Sequence, residues 1–148
     1  GRRQDPNGAY AAVIPKWMSA KISGDAVLIN GDGETSRDFC YVKNVVQANI
    51  LAATDQIGEG HEVFNIAVGD RNTLNNLNSL ITSVLASRGF VNNKQPEYRG
   101  FRSGDVRHSQ ASIDKACKAL GYSPDFSLEQ GLNDCVNWYI ASLKQRVS

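Results

Sequence analysis

Apolar residues recur along this chain at helical spacing in some stretches and in short unbroken runs in others. Ile14, Trp17, Met18 and Ile22 share one face of a helix predicted over Ala11–Ile22. Pro15 falls in its first turn, where a missing N–H costs nothing, and Gly24 follows its end. Ala26–Ile29 and Phe39–Val42 are apolar runs on either side of Asn30-Gly31-Asp32-Gly33, which predicts two strands joined by a Gly-rich hairpin turn. Helical spacing returns over Val45–Thr54, with Val45, Val46, Ile50, Leu51 and Ala53 apolar. Gly58-Glu59-Gly60 reads as a loop, and Val63–Val68 as a strand ended by Gly69-Asp70. Thr73 is positioned to cap a long amphipathic helix whose stripe is Leu74, Leu77, Leu80, Ile81, Val84 and Leu85, closed by Gly89.

The polar loop Asn92–Gln95 leads to a short strand at Glu97–Phe101, and Ser112–Leu120 predicts a helix ending at Gly121. Ser127 and Gln130 form a capping-box pattern before a last helix that places Leu128, Leu132, Cys135, Val136, Tyr139, Ile140 and Leu143 in register. The predicted order, α-β-β-α-β-α-β-α-α, is mixed α/β. A self-contained parallel sheet wants more strands than this, because βαβ units bury both sheet faces. Gly1–Gly8 reads as a loop from the middle of something, since no Met opens it and the only Met is Met18. Residues 1–148 are therefore expected to be one domain-sized portion of a larger whole.

Composition narrows the function classes. With 41% hydrophobic and 21% charged residues the chain is an ordinary globular sequence, and a net charge of +1 predicts neither a nucleic-acid nor a membrane-surface partner. Cys40, Cys117 and Cys135 are odd in number and far apart, and His61 and His108 stand far from all three. A disulfide framework or metal site is not expected, and a reduced, cytoplasmic setting is.

The chemistry-bearing positions are few. Gly31-Asp32-Gly33-Glu34-Thr35-Ser36 begins like a phosphate-binding loop but lacks the last glycine, and a strand is expected after it where that loop requires a helix. Arg37 and Asp38 either form a surface ion pair or set a guanidinium toward an anion. Phe101–Ser109 holds Arg102, Arg107, Asp105, Ser103 and Gly104, a set suited to an anion plus a ribose; a basic RNA-binding loop or a plain solvated loop are the alternatives. No Tyr-x-x-x-Lys, G-x-x-G-x-x-G or G-x-x-x-x-G-K-[ST] occurs, so neither a catalytic nor a cofactor-binding residue is assigned. His108 alone reads as a loop histidine.

Several segments in order carry a resemblance: Gly1–Tyr10, Val13–Trp17, Ile29–Gly33 running into Ser36–Val42, Phe64–Gly69, Arg102–Val106, Leu120–Pro124 and Ser127–Leu132. Together they resemble the C-terminal part of the extended short-chain dehydrogenase/reductase (SDR) superfamily of nucleotide-sugar epimerases and dehydratases, nearest to UDP-N-acetylglucosamine 4-epimerases of bacterial surface-polysaccharide synthesis. The resemblance implies an α/β, C-terminal substrate-binding portion without the N-terminal Rossmann core, with a strand at about 62–68 that joins that core's sheet. It implies a UDP-sugar as substrate, with Arg37 and Arg102 on the diphosphate and Asp105 on the ribose. Ala12, Val13, Trp17, Asn30 and Leu74 line the uridine side, and Gln4 and Ser109 contact the sugar. For Trp17 and Leu74, core packing is the competing reading. NAD belongs to the intact, homodimeric enzyme, and this chain alone is expected neither to bind it nor to turn over. The same likeness extends to dehydratases and decarboxylases of other nucleotide sugars. A reading from another class is a non-catalytic module that self-associates through the unpaired edge at Val63–Val68.

Overall fold

A computed structural model of the chain describes residues 1–8, 11–54 and 60–144; Ala9, Tyr10 and the loop read at Gly58-Glu59 lie outside them. The elements are α1 (Val13–Ile22), β1 (Leu28–Asn30), β2 (Ser36–Arg37), α2 (Val42–Thr54), β3 (Asn72–Thr73), α3 (Leu74–Ala86), β4 (Glu97–Arg99), α4 (Asp114–Leu120) and α5 (Leu128–Lys144). Helix ends follow local chemistry. The Thr73 hydroxyl accepts from the Asn76 N–H at the start of α3. At α5 the capping box closes both ways: Ser127 N–H donates to Gln130 Oε1 at 2.8 Å, and Gln130 N–H donates to Ser127 Oγ at 3.3 Å.

The strands depart from the sequence reading. No hairpin joins β1 to the next strand: β1 runs parallel to β4, with Leu28 opposite Glu97 and Asn30 opposite Arg99. β2 pairs antiparallel with β3, Ser36 opposite Thr73. The Gly31 N–H donates to the Arg99 carbonyl, so the turn continues the β4 pairing instead of folding β1 back. The run Phe39–Val42 is not a strand either. The Asn44 N–H already donates to the Tyr41 carbonyl and α2 starts at Val42, while Tyr41 turns into the core. Val63–Val68 pairs in no sheet among the described residues, and the chain bends at Ala67.

Two apolar clusters hold the chain together. The larger packs α1, α3 and α5 around Met18, Ile29, Leu77, Ile81, Val136 and Tyr139. The smaller gathers Ala48 of α2, Ala116 and Leu120 of α4, and Tyr122, with Phe64 and Ile66 packed against it. Asn44 joins them: wholly buried, it donates to the Phe126 carbonyl at 2.8 Å and accepts the Phe126 N–H at 3.0 Å, just before α5. No helix among the described residues is long and apolar enough to cross a membrane.

Candidate functional site

A small open cleft of about 200 Å³ lies where α1, β1, β2 and the start of α3 meet. In β1 the alternation of a strand sends Ile29 into the core and leaves Leu28 and Asn30 on the cleft side. One helical turn apart on α1, Val13 and Trp17 form the adjoining wall, and the Trp17 indole N–H donates to the Leu28 carbonyl at 3.2 Å. That bond fixes the ring against β1. Thr35, Arg37 and Phe39 add a second extended wall at every other position; Leu74 opens α3, and Asp105 enters from the loop after β4.

The turn at the end of β1 explains the local path. Gly31 and Gly33 adopt φ of +81° and +80°, and the Asp32 carboxylate accepts the Glu34 N–H at 2.9 Å. A Cβ on Gly31 would stand 2.4 Å from the Phe101 ring, and one on Gly33 would stand 2.0 Å from the Asn75 side chain. Backbone and neighbours therefore leave room for glycine alone. The loop over the cleft is tied down twice. Ser36 exchanges backbone bonds with Arg107 and Ser109, and its hydroxyl lies 2.8 Å from His108 Nδ1. Arg107 pairs with Asp32 at 2.7 Å and sits over the Phe101 ring. The hydrogen bond from Arg107, followed by the Glu34 N–H, holds the Asp32 carboxyl below its usual range, and the Asp32 bond raises Arg107.

Arg37 points one guanidinium nitrogen at the Ser36 carbonyl, 2.8 Å away, and more loosely at the Arg107 carbonyl at 3.4 Å. Its Nε and Nη2 make no hydrogen bond among the described residues, so a planar fork of donors remains for an anion. Asp38 does not pair with Arg37. Its two carboxylate oxygens accept the Val68 and Gly69 N–H groups, each at 3.0 Å, and anchor that segment instead.

The cleft thus brings together Val13, Trp17, Asn30, Arg37, Leu74 and Asp105. For Trp17 and Leu74 the two readings merge: Trp17 is in the core, Leu74 packs on it, and both line the cleft. Four other positions stand outside its lining. Ala12 caps α1 beside it. Gln4 accepts from the Gly1 amino group on the first loop. Arg102 is exposed in the turn closed by the Asp105 N–H, and Ser109 is held through its backbone to Ser36. Leu28, Thr35 and Phe39 escaped the sequence reading. Period-two alternation from Asn30 and from Arg37 is the signal that identifies them.

His108 is a tie to Ser36, and the described residues hold no group of three or more His, Cys, Asp or Glu suited to a metal ion. Burial pushes the Cys40 and Cys135 thiols up, which keeps them protonated.

A profile of the NAD dependent epimerase/dehydratase family matches residues 1–67. The UDP-glucose 4-epimerase of Thermotoga maritima, solved with UDP-glucose, superposes with a TM-score of 0.85 at 40% identity, covering 97% of this chain and 43% of that one. The UDP-N-acetylglucosamine 4-epimerase of Methanobrevibacter ruminantium, solved with UDP-N-acetylmuramic acid, gives 0.84 at 40% identity over 96% of this chain and 43% of that one. A putative UDP-glucose 4-epimerase of Methanocaldococcus jannaschii is 33% identical over 138 residues, 93% of this chain and 42% of the relative. The chain spans less than half the length of these relatives.

The family's name points to NAD, and the Gly31–Gly33 turn does not fit it. The turn leads into β2 and not into a helix N-terminus, and Phe101 and Asn75 already occupy the space beside its glycines. No step through the dinucleotide is derived from this chain. The ordered motifs, the α/β fold and the superposition agree, and the chain belongs to the nucleotide-sugar epimerase/dehydratase family of extended SDR enzymes, matching their C-terminal portion.

Proposed function

We propose that this chain is the substrate-gripping portion of a UDP-N-acetylhexosamine 4-epimerase and holds the UDP moiety. The observation that carries this reading is the cleft in which Arg37 and Asp105 face the apolar wall of Val13, Trp17 and Leu74. An apolar wall suits a base, a carboxylate accepts from ribose hydroxyls, and a guanidinium fork matches diphosphate oxygens. Arg102 reaches the diphosphate from the turn just before Asp105, and Ala12 and Asn30 complete the uridine side. Gln4 and Ser109 meet the sugar.

A 4-epimerase must hold the nucleotide while the hexose turns over. Binding energy then belongs on the part of the substrate that does not react. The hexosamine preference draws support from the relative solved with UDP-N-acetylmuramic acid, which is as similar to this chain as the UDP-glucose enzyme. Turnover by residues 1–148 alone is not expected, because they contain no Tyr-x-x-x-Lys.

Calorimetric titration with UDP, UDP-glucose and UDP-N-acetylglucosamine tests the reading. Arg37→Ala should weaken UDP roughly tenfold or more, the scale of a lost charge-assisted hydrogen bond. Arg102→Ala and Asp105→Asn should each weaken it by a smaller factor. UDP binding left unchanged by all three variants would overturn the assignment.

A further inference from the structure

The Gly31–Glu34 turn is fixed by two neighbouring elements. The Gly31 N–H donates to the Arg99 carbonyl of β4, and the Asn75 N–H in the first turn of α3 donates to the Gly33 carbonyl. The Asn75 side chain donates to the Asp32 carbonyl at 3.2 Å and to Glu34 Oε1 at 2.6 Å, while its own oxygen accepts the Tyr98 hydroxyl. Within the turn, Asp32 Oδ1 accepts the Glu34 N–H. The second carboxylate oxygen, Oδ2, accepts Arg107 Nη2 at 2.7 Å. The turn is therefore a rigid post, and Arg107 is what it holds.

Arg107 is tied at both ends. Its side chain meets Asp32 and the Phe101 ring, and its carbonyl accepts the Ser36 N–H at 2.9 Å. Ser36 gives its own carbonyl to the Ser109 N–H, so residues 107–109 form a parallel bridge beside β2. The two carbonyls of this bridge, Ser36 and Arg107, are the acceptors of Arg37 Nη1. A chain of contacts thus runs from Asp32 through Arg107 to the guanidinium that lines the cleft. Neither Asp32 nor Arg107 lines the cleft, and both side chains are about half exposed. An exposed ion pair contributes little to stability, so the fold does not depend on it.

We propose that Asp32 and Arg107 are a positioning pair for Arg37. The Asp32 carboxylate fixes Arg107, and the Arg107 carbonyl together with that of Ser36 holds Nη1, which leaves Nε and Nη2 presented to an anion. That this anion is a diphosphate rests on the UDP reading above. The pair touches no substrate. It acts by limiting the orientations of a long, flexible side chain, and a pre-oriented fork loses less freedom when it binds.

Asp32→Asn is the test, because asparagine keeps an oxygen for the Glu34 N–H and loses the charge that holds Arg107. The variant also removes a negative charge near the anion end of the cleft. Electrostatics alone, or a direct grip on the ligand by a freed Arg107, therefore predicts tighter UDP binding, whereas positioning predicts weaker binding. By calorimetry, UDP should bind about fivefold more weakly and uridine as before, with no further loss when Asp32→Asn is added to Arg37→Ala. UDP binding unchanged or tightened, a loss shared equally by uridine, or losses that simply add would overturn the proposal. Nitrogen-15 NMR of the free chain gives a second readout. Exchange of the Arg37 guanidinium nitrogens by rotation about the Cζ–Nη bonds should quicken by about fivefold in Asp32→Asn, matching the lost restraint. An unaltered rate would overturn the proposal as well. Circular dichroism and melting establish that the variant folds. Because the NMR readout needs no ligand, a chain that does not bind UDP sinks the proposed function while the positioning of Arg37 is still decided.

Discussion

Helices α3 and α2 are both thirteen residues long, yet they distribute their side chains in opposite ways. α3 buries Leu77, Ile81, Val84 and Leu85 and shows Asn76, Ser79 and Ser83 to solvent. α2 buries Asn44 and Ala48 and shows Val42, Val46 and Ile50. The region around α3, with α1, α5 and β1, is finished: its apolar stripe has partners within this chain, and the cleft is built on that rigid base. The region around α2 and α4 is finished on one side only. Its small cluster rests on Ala48, Ala116, Leu120 and Tyr122, so the chain spends its larger aliphatic groups there on the outside. The contrast separates packing that makes the cleft from an aliphatic face left on the outside.

Four substitutions break or sharpen that contrast. Leu77→Ala, in the finished region, should destabilise the chain by about 2–5 kcal/mol in urea denaturation, the range for a cavity left in a close-packed core. A loss below about 1 kcal/mol would mean that this core is loosely packed. Asn44→Ala should cost about 1–3 kcal/mol by the same measurement, because the Phe126 N–H and carbonyl lose their buried partner.

Asp134 tests the seam between the regions through pH. It accepts the Tyr41 hydroxyl and pairs with Lys43 at 3.1 Å and Arg2 at 3.4 Å. The Tyr41 hydrogen bond, then Lys43, holds its carboxyl below the usual 3.8, while burial and then Asp134 push the Tyr41 phenol up to about 12. A carboxylate lowered on folding contributes stability that is present above its unfolded value and is lost as pH falls through the folded one. Melting temperatures recorded from about pH 6 down to about pH 2 should therefore fall less steeply below about pH 4 for Asp134→Asn than for the parent chain. The smallest effect is expected at Ile50→Ala, within about 0.5 kcal/mol in the isolated chain, because its side chain is more than half exposed and joins neither apolar cluster. A loss approaching that of Leu77→Ala would place Ile50 inside a core and remove the contrast.

The helices were legible in the sequence and the strand pairing was not. The predicted string of elements matches the observed order letter for letter, yet two strands occupy other residues and the predicted hairpin does not form. Expected at Phe39–Val42, the second strand is Ser36–Arg37; the third, expected at Val63–Val68, is Asn72–Thr73. A Gly-rich turn between apolar runs is as compatible with a continuing parallel strand as with a hairpin. Only the arrival of Glu97–Arg99 beside β1 decides which. In the cleft, Arg37 and Asp105 could be picked out in advance as lining residues because a guanidinium and a carboxylate are chemically pointed. Leu28, Thr35 and Phe39 were not, since an aliphatic, a hydroxyl and a ring are ordinary until their face is known.

By itself the sequence determined where α3 and α5 start. A cap such as Thr73, a capping box such as Ser127 with Gln130, and bonds between residues four apart all lie within one turn of chain. It also determined the family, through motifs kept in order. Only the tertiary structure decided that β1 meets β4 across nearly seventy residues, that Asp38 anchors Val68 and Gly69 and does not pair with Arg37, and that α2 turns its valines outward. Strand partners and buried faces depend on segments far apart in the chain. No local pattern states which of them will meet.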